Sequence, residues 1–154
     1  MKYKRILFVC SGNTCRSPMA KAIFEHMVNK DADLRTAGID TRSAGTCVVA
    51  GGRAAEKAMQ VMRVKGLDLS FHVSKRVDGV LVDWADLILV MQSEHKEHIE
   101  NCFPHSVEKV KLLTHFVGEE GEVPDPLLEN TNIAYRECAN LLESLTSAMI
   151  ERIK

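Results

Sequence analysis

The chain has 154 residues, 45% of them hydrophobic and 27% charged, enough for one core of its own and too few for two ordinary domains. Its 20 Lys and Arg against 21 Asp and Glu leave a formal charge of -1, so no global field recruits nucleic acid or an anionic membrane, and an anion site has to be local. Aromatic residues make up 5%, which argues against a stacking platform for single-stranded nucleic acid. The longest apolar runs, such as Ile6–Cys10 and Leu87–Met91, fall far short of a bilayer span. The basic start Met1-Lys-Tyr-Lys-Arg5 resembles the head of a signal peptide, but the apolar run after it ends before Gly12-Asn13, so it reads as a strand and the expected address is cytoplasmic. Cysteines at 10, 15, 47, 102 and 138 form no CxxC and no zinc spacing, and a disulfide framework is not expected.

In chain order, Ile6–Cys10 is apolar without alternation, as in a parallel strand covered on both faces. Ser11–Thr14 breaks it, and a helix begins near Ser17-Pro18 with Met19, Ala22, Ile23, His26 and Met27 on one face. Leu34–Ile39 reads as a short strand and Arg42–Gly52 as a loop. Ala54–Lys65 is a run of good helix formers closed by Gly66. Ala85–Met91 is a second central strand, followed by a polar helix from about Ser93. Val107–Leu113 is a third strand and Glu119–Asn130 an acidic, proline-bearing loop. The last helix starts near Asn132 and buries Ala134, Cys138, Leu141, Leu142, Leu145, Ala148 and Met149. Strands separated by helices imply an α/β three-layer sandwich around a central parallel sheet, one domain over residues 1–154.

Such a sheet binds ligands at the C-terminal ends of its strands, where Cys10 stands. The segment Cys10-Ser-Gly-Asn-Thr-Cys-Arg16-Ser17 has the makings of an anion cradle. Gly12 and Asn13 tolerate positive φ, so the backbone can turn consecutive N–H groups of Ser11, Gly12, Asn13, Thr14 and Cys15 inward, beside a helix N-terminus. Arg16 adds a planar fork suited to two phosphate oxygens, and the positive field favours the thiolate of Cys10. Ser17 is placed to hydrogen-bond that thiolate. A nucleophile facing an oxyanion cradle is the equipment for phosphoryl transfer through a cysteinyl-phosphate. A Walker A loop is excluded, because it ends in Gly-Lys-Ser/Thr and this loop ends Cys-Arg-Ser. Cys15, a second thiol on the same tight loop, could capture an oxidised Cys10 as a disulfide.

The segment Val9-Cys-Ser-Gly-Asn-Thr-Cys-Arg-Ser-Pro-Met-Ala20 resembles the active-site loop of the low-molecular-weight protein tyrosine phosphatases. The likeness extends through Arg42-Ser-Ala-Gly45, His72-Val-Ser74, Ala85–Met91 and Asp125-Pro126. The resemblance implies a protein phosphatase acting on phosphorylated proteins or peptides, with Cys10 as nucleophile, Arg16 and the loop as phosphate site, and Asp125 as general acid and base. It further implies a supporting network of Asn13, Ser17, Ser43 and His72, and no metal or other cofactor. Pro124 and Pro126 would hold Asp125 on a stiff segment. Glu119, Glu120 and Glu122 read as a solvated loop face, His95 and His98 as an exposed helix face, and Cys47, Cys102 and Cys138 as incidental.

Two other functions compete. An arsenate reductase of this fold needs two further cysteines in the middle region, and none stands between Cys47 and Cys102. A non-catalytic phosphate-binding module would not be expected to keep Cys10, Arg16 and Asp125 together. As to substrate, Thr14 resembles the protein arginine phosphatase branch, whereas the phosphotyrosine branches usually carry a bulky aliphatic residue there. No aromatic residue occurs in Gly45–Gly52 or directly after Asp125-Pro126, where Leu127 departs from both patterns. Phosphoarginine is therefore the expected substrate and phosphotyrosine the alternative.

Overall fold

The computed structural model describes residues 1–49 and 51–154. Four parallel strands, β1 (Arg5–Cys10), β2 (Asp40–Gly45), β3 (Leu87–Val90) and β4 (Val110–Leu112), lie in the order β2-β1-β3-β4. Alternate residues of the central strands serve opposite cores. Ile6, Phe8, Leu87 and Leu89 pack against α1 (Arg16–Lys30), α3 (Glu56–Val64) and α7 (Asn132–Ile153) on one face. Leu7, Val9, Ile88 and Val90 pack against α4 (Gly79–Trp84) and α5 (Ser93–Cys102) on the other. This is the expected α/β sandwich, with both faces of the sheet covered because its central strands are apolar throughout Ile6–Cys10 and Leu87–Val90.

Several elements depart from the sequence reading. Leu34–Ile39 is not a strand: Asp31 caps a short α2 (Ala32–Arg35) by accepting from the N–H groups of Asp33 and Leu34, and Gly38 turns the chain at φ 76°. The strand comes later, over Asp40–Gly45, and runs into the segment read as a loop. Its residues, Asp-Thr-Arg-Ser-Ala-Gly, have low strand propensity and are recruited by in-register pairing with β1, from Arg5 with Asp40 to Cys10 with Gly45. Val107–Lys109 belongs to a 3-10 turn over Pro104–Lys109, leaving β4 three residues long. Another short helix, α6 (Leu113–Phe116), follows β4. Helix α1 buries Met19, Ala20, Ile23, Phe24 and Val28, a face rotated from the expected one so that His26 is exposed. In α7, Ala148 is likewise exposed and Tyr135 and Ile150 are buried instead.

The strand order places a switch between β1 and β3: the chain leaves β1 for β2 on one side and reaches β3 on the other. The crevice at the carboxyl ends of β1 and β3 is where a sheet of this kind accepts ligands, and Cys10 and Gln92 border it. No helix among the described residues is long and apolar enough to cross a membrane.

Candidate active site

The loop between β1 and α1 is pinned through its carbonyls. The Cys10 oxygen accepts from Thr46 N (3.0 Å), the Ser11 oxygen from Cys47 N (2.9 Å) and the Thr14 oxygen from Ala55 N (2.9 Å). The Asn13 oxygen accepts from His72 Nε2 (2.6 Å) and Ser74 Oγ (3.0 Å). Among the described residues, the N–H groups of Ser11 through Cys15 find no acceptor in the chain. Asn13 and Cys15 are buried, so their donors cannot fall back on bulk water. A loop with its acceptors occupied and its donors free is a cradle for an anion.

Asn13 sets that curl, with φ at 55°, the left-handed region in which an asparagine is tolerated. Its side chain is fully used, donating to Ser17 Oγ (2.7 Å) and Ser43 Oγ (3.1 Å) and accepting from Lys75 N (2.9 Å). Gly12 does not share the positive φ expected of it. Gly45 has a firmer requirement: a Cβ there would lie 2.3 Å from the Ser11 oxygen and 3.0 Å from Asn13 N, so no side chain fits beneath the loop. His72 donates to the Asn13 oxygen from the half-buried back of the loop, and its burial holds the imidazole below its usual range.

Cys10 is buried at the end of β1, with Ser17 Oγ 3.0 Å from its sulfur. Cys15 packs into the core beneath the loop, and burial pushes its thiol up to about 12. Cys138 lies in the same core, again pushed up to about 12 by burial, while Cys47 and Cys102 are exposed.

Arg16 is 1% exposed, and its two edges differ. Nη1 is anchored, donating to Gln92 Oε1 (2.6 Å) and the Val123 carbonyl (3.0 Å). The other edge is open. Nη2 makes only long contacts, to Ser11 Oγ (3.4 Å) and Asp125 Oδ2 (3.6 Å), and Nε is buried with no partner. An orphaned buried guanidinium N–H is costly, and the Nε–Nη2 edge is the one that pairs with two oxygens of a phosphate. Asp125 Oδ1 accepts from Leu127 N (3.0 Å), a turn closed between two prolines, which leaves Oδ2 at the Arg16 side of the crevice.

The structure thus brings Cys10, Arg16, Ser17, Asn13, Ser43, His72 and Asp125 to one crevice. One residue has a role beyond its expected exposed position, and one is not where the sequence put it. Glu122 does more than face solvent: its carboxylate accepts from Ser93 N and caps α5, which holds it below the usual carboxylate range. His95 is not on an exposed face. It is 1% exposed, its Nδ1 accepts from Gln92 N (3.0 Å), and its Nε2 meets Ser11 Oγ at 2.8 Å. Periodicity on a polar helix cannot separate His95 from His98; the spacing from Gln92 at the helix start to His95, directly after a buried strand, is the signal that could have.

Burial brings His95 down to about 4, the neighbouring Arg16 adding to the effect. Its folded value is depressed, so it favours folding above the unfolded value of about 6.5, and that contribution is lost as pH falls toward 4. Stability should drop by about 3 kcal/mol across that interval from this group, and His95→Gln should flatten the dependence; urea midpoints at stepped pH measure both.

The model of the low molecular weight phosphotyrosine protein phosphatase family matches residues 5–154. The chain belongs to that family. It is 37% identical over 151 residues to a protein-arginine-phosphatase of Geobacillus stearothermophilus, covering 97% of this chain and 96% of that one. It is 39% identical over 126 residues to the low molecular weight protein-tyrosine-phosphatase Ptp of Acinetobacter johnsonii, covering 82% of each. Among solved structures, it superposes with a TM-score of 0.88 and 33% identity on a YwlE arginine phosphatase, a cysteine-to-serine mutant with a phosphorylated active-site serine, covering 97% of this chain and 95% of that one.

Proposed function

We propose that this chain is a cysteine-dependent protein phosphatase, a single catalytic domain over residues 1–154, with phosphoarginine its preferred substrate residue. The observation that carries the chemistry is the open Nε–Nη2 edge of buried Arg16 beside a loop of unpaired N–H groups, with Cys10 at its start. Cys10 attacks phosphorus, forming the S–P bond as the bond to the leaving group breaks, and Asp125 gives its proton to that group. Asp125 then takes a proton from water, which attacks phosphorus and expels the Cys10 thiolate. Ser17, 3.0 Å from the sulfur, supports the departing thiolate. Arg16 and the amides of Ser11–Cys15 hold the equatorial oxygens, so no metal is required. The phosphorylated serine of the YwlE mutant supports a phospho-enzyme at the position of Cys10. A cytoplasmic address fits five free cysteines.

Two features favour phosphoarginine. The 37% identical relative is named a protein-arginine-phosphatase. Thr14, half-buried in the loop, has a hydroxyl with no hydrogen bond to any described residue, available to a nitrogen-rich leaving group. Phosphotyrosine gains part of its binding from aromatic walls, and here the residues after Asp125-Pro126 are the exposed Leu127 and Leu128. Phosphoarginine and phosphotyrosine peptides assayed side by side should give the higher kcat/KM for phosphoarginine. Thr14→Ile should move the ratio toward phosphotyrosine by about 1–3 kcal/mol. A wild-type preference for phosphotyrosine that Thr14→Ile leaves unchanged would refute the arginine assignment and leave the family chemistry standing.

A further inference from the structure

The start of α5 touches the phosphate loop from the β3 side of the crevice. Gln92 and His95 form a reciprocal cap there: the Gln92 carbonyl accepts from His95 N at 3.0 Å, and His95 Nδ1 accepts from Gln92 N. Both side chains continue past the cap. Gln92 Oε1 takes the Nη1 proton of Arg16 at 2.6 Å, and His95 Nε2 reaches Ser11 Oγ at 2.8 Å. Because Nδ1 is an acceptor, the ring proton must sit on Nε2, so His95 donates and Ser11 Oγ accepts. The second neighbour of Ser11 Oγ is Arg16 Nη2 at 3.4 Å, and a guanidinium can only donate. The hydroxyl oxygen is therefore faced by two donors, and its own proton has no acceptor among the described residues.

We propose that Gln92 and His95 are positioning residues for phosphoryl transfer, clasping Arg16 by its anchored edge and turning the Ser11 hydroxyl into a donor to the phosphoryl oxygens. This rests on the reading of the loop as a phosphoryl-transfer site. Ser11 thereby acts through its side chain as well as its amide. A hydroxyl alone rotates among several partners, whereas one held between two donors has its proton committed in advance, a gain that counts when charge builds in the transition state. His95 stays neutral at the pH of an ordinary assay, consistent with a fixed donor and not a proton shuttle. Its charged and titratable neighbours are Arg16, Glu122, Asp125 and His98, with the exposed Glu94 carboxylate 3.8 Å from Nε2.

The test uses the full chain with Ser11→Ala, His95→Leu, His95→Gln and the double variant Ser11→Ala/His95→Leu. Two quantities are read: kcat on a phosphopeptide, and protection of Cys10 from iodoacetate by inorganic phosphate, which requires no turnover. Ser11→Ala leaves the cap intact, so it should lower kcat by about 10- to 100-fold and weaken phosphate protection with the melting temperature unchanged. His95→Leu should match that loss while also lowering the melting temperature. His95→Gln, able both to accept from Gln92 N and to donate to Ser11, should recover most of it. The double variant should be no slower than the slower single variant, because both remove one interaction. Full kcat in Ser11→Ala, or losses that multiply in the double variant, overturn the clasp. Phosphate protection that follows the predicted series in a protein without phosphatase activity would keep the clasp and refute the functional reading instead.

Discussion

Cys10→Ser should lower turnover by at least about 10³-fold while leaving the affinity for inorganic phosphate nearly intact. A serine hydroxyl is a far poorer nucleophile at neutral pH than a thiolate, and no base stands ready to deprotonate it: the partner at 3.0 Å is Ser17 Oγ, another hydroxyl. The groups that hold the anion are elsewhere, in the Nε–Nη2 edge of Arg16 and the free amides of the loop, and the exchange of sulfur for oxygen does not disturb their anchors. Single-turnover assays with phosphopeptide and calorimetric titration with phosphate separate the two quantities. In the wild type, EDTA should leave the rate unchanged, because the positive charge facing the phosphoryl group is the chain's own. Among the described residues no three His, Cys, Asp or Glu side chains gather in a metal-holding arrangement. Turnover in Cys10→Ser, or a wild type silenced by EDTA, would sink the covalent mechanism.

The parts of this architecture legible in sequence are those set by local chemistry. Ile6–Cys10 announces a doubly covered strand because every residue is apolar, and the break at Ser11-Gly12 announces where its ligand end lies. Gly66, at φ 79°, ends its helix as its residue type suggests. What escaped reading is set by partners distant in sequence. The β2 residues are small and polar and become a strand only because β1 lies alongside; Gly45 is then required by contact with the Ser11 and Asn13 backbone, which no local pattern encodes. The buried face of α1 departs from its periodicity because Phe24, not His26, meets Phe8 across the core. His95 escaped for the same kind of reason: the strand order brings the start of α5 against the loop after β1, and that neighbourhood alone turns a polar-helix histidine into a buried donor.

Asp125→Asn should lower kcat by about 10²- to 10⁴-fold, and unequally across leaving groups. The substitution is close to isosteric. An amide oxygen can still accept from Leu127 N, as Oδ1 does at 3.0 Å, so the turn between Pro124 and Pro126 should keep its shape. The ion pair given up is the 3.6 Å contact of Oδ2 with Arg16 Nη2, and at that length and partial exposure it contributes at most about 1 kcal/mol, so the melting temperature should barely move. What the amide cannot do is carry a proton to the leaving group or take one from water. The first deficit scales with the basicity of the departing atom. A guanidinium nitrogen leaving phosphorus without a further proton would depart as a neutral, strongly basic guanidine, and an ordinary phenol oxygen as a moderately basic anion. A nitrophenol leaves readily as the anion and needs little help. The loss in the first step should therefore be largest for phosphoarginine, smaller for phosphotyrosine and smallest for p-nitrophenyl phosphate. With the last of these the second step becomes limiting, and a burst of nitrophenolate followed by slow turnover should appear as the phosphocysteine accumulates. Equal losses on all three substrates without a burst would mean that Asp125 serves only to position Arg16. A rise in KM at constant kcat would mean that it only binds, and the acid would have to be sought elsewhere in the crevice.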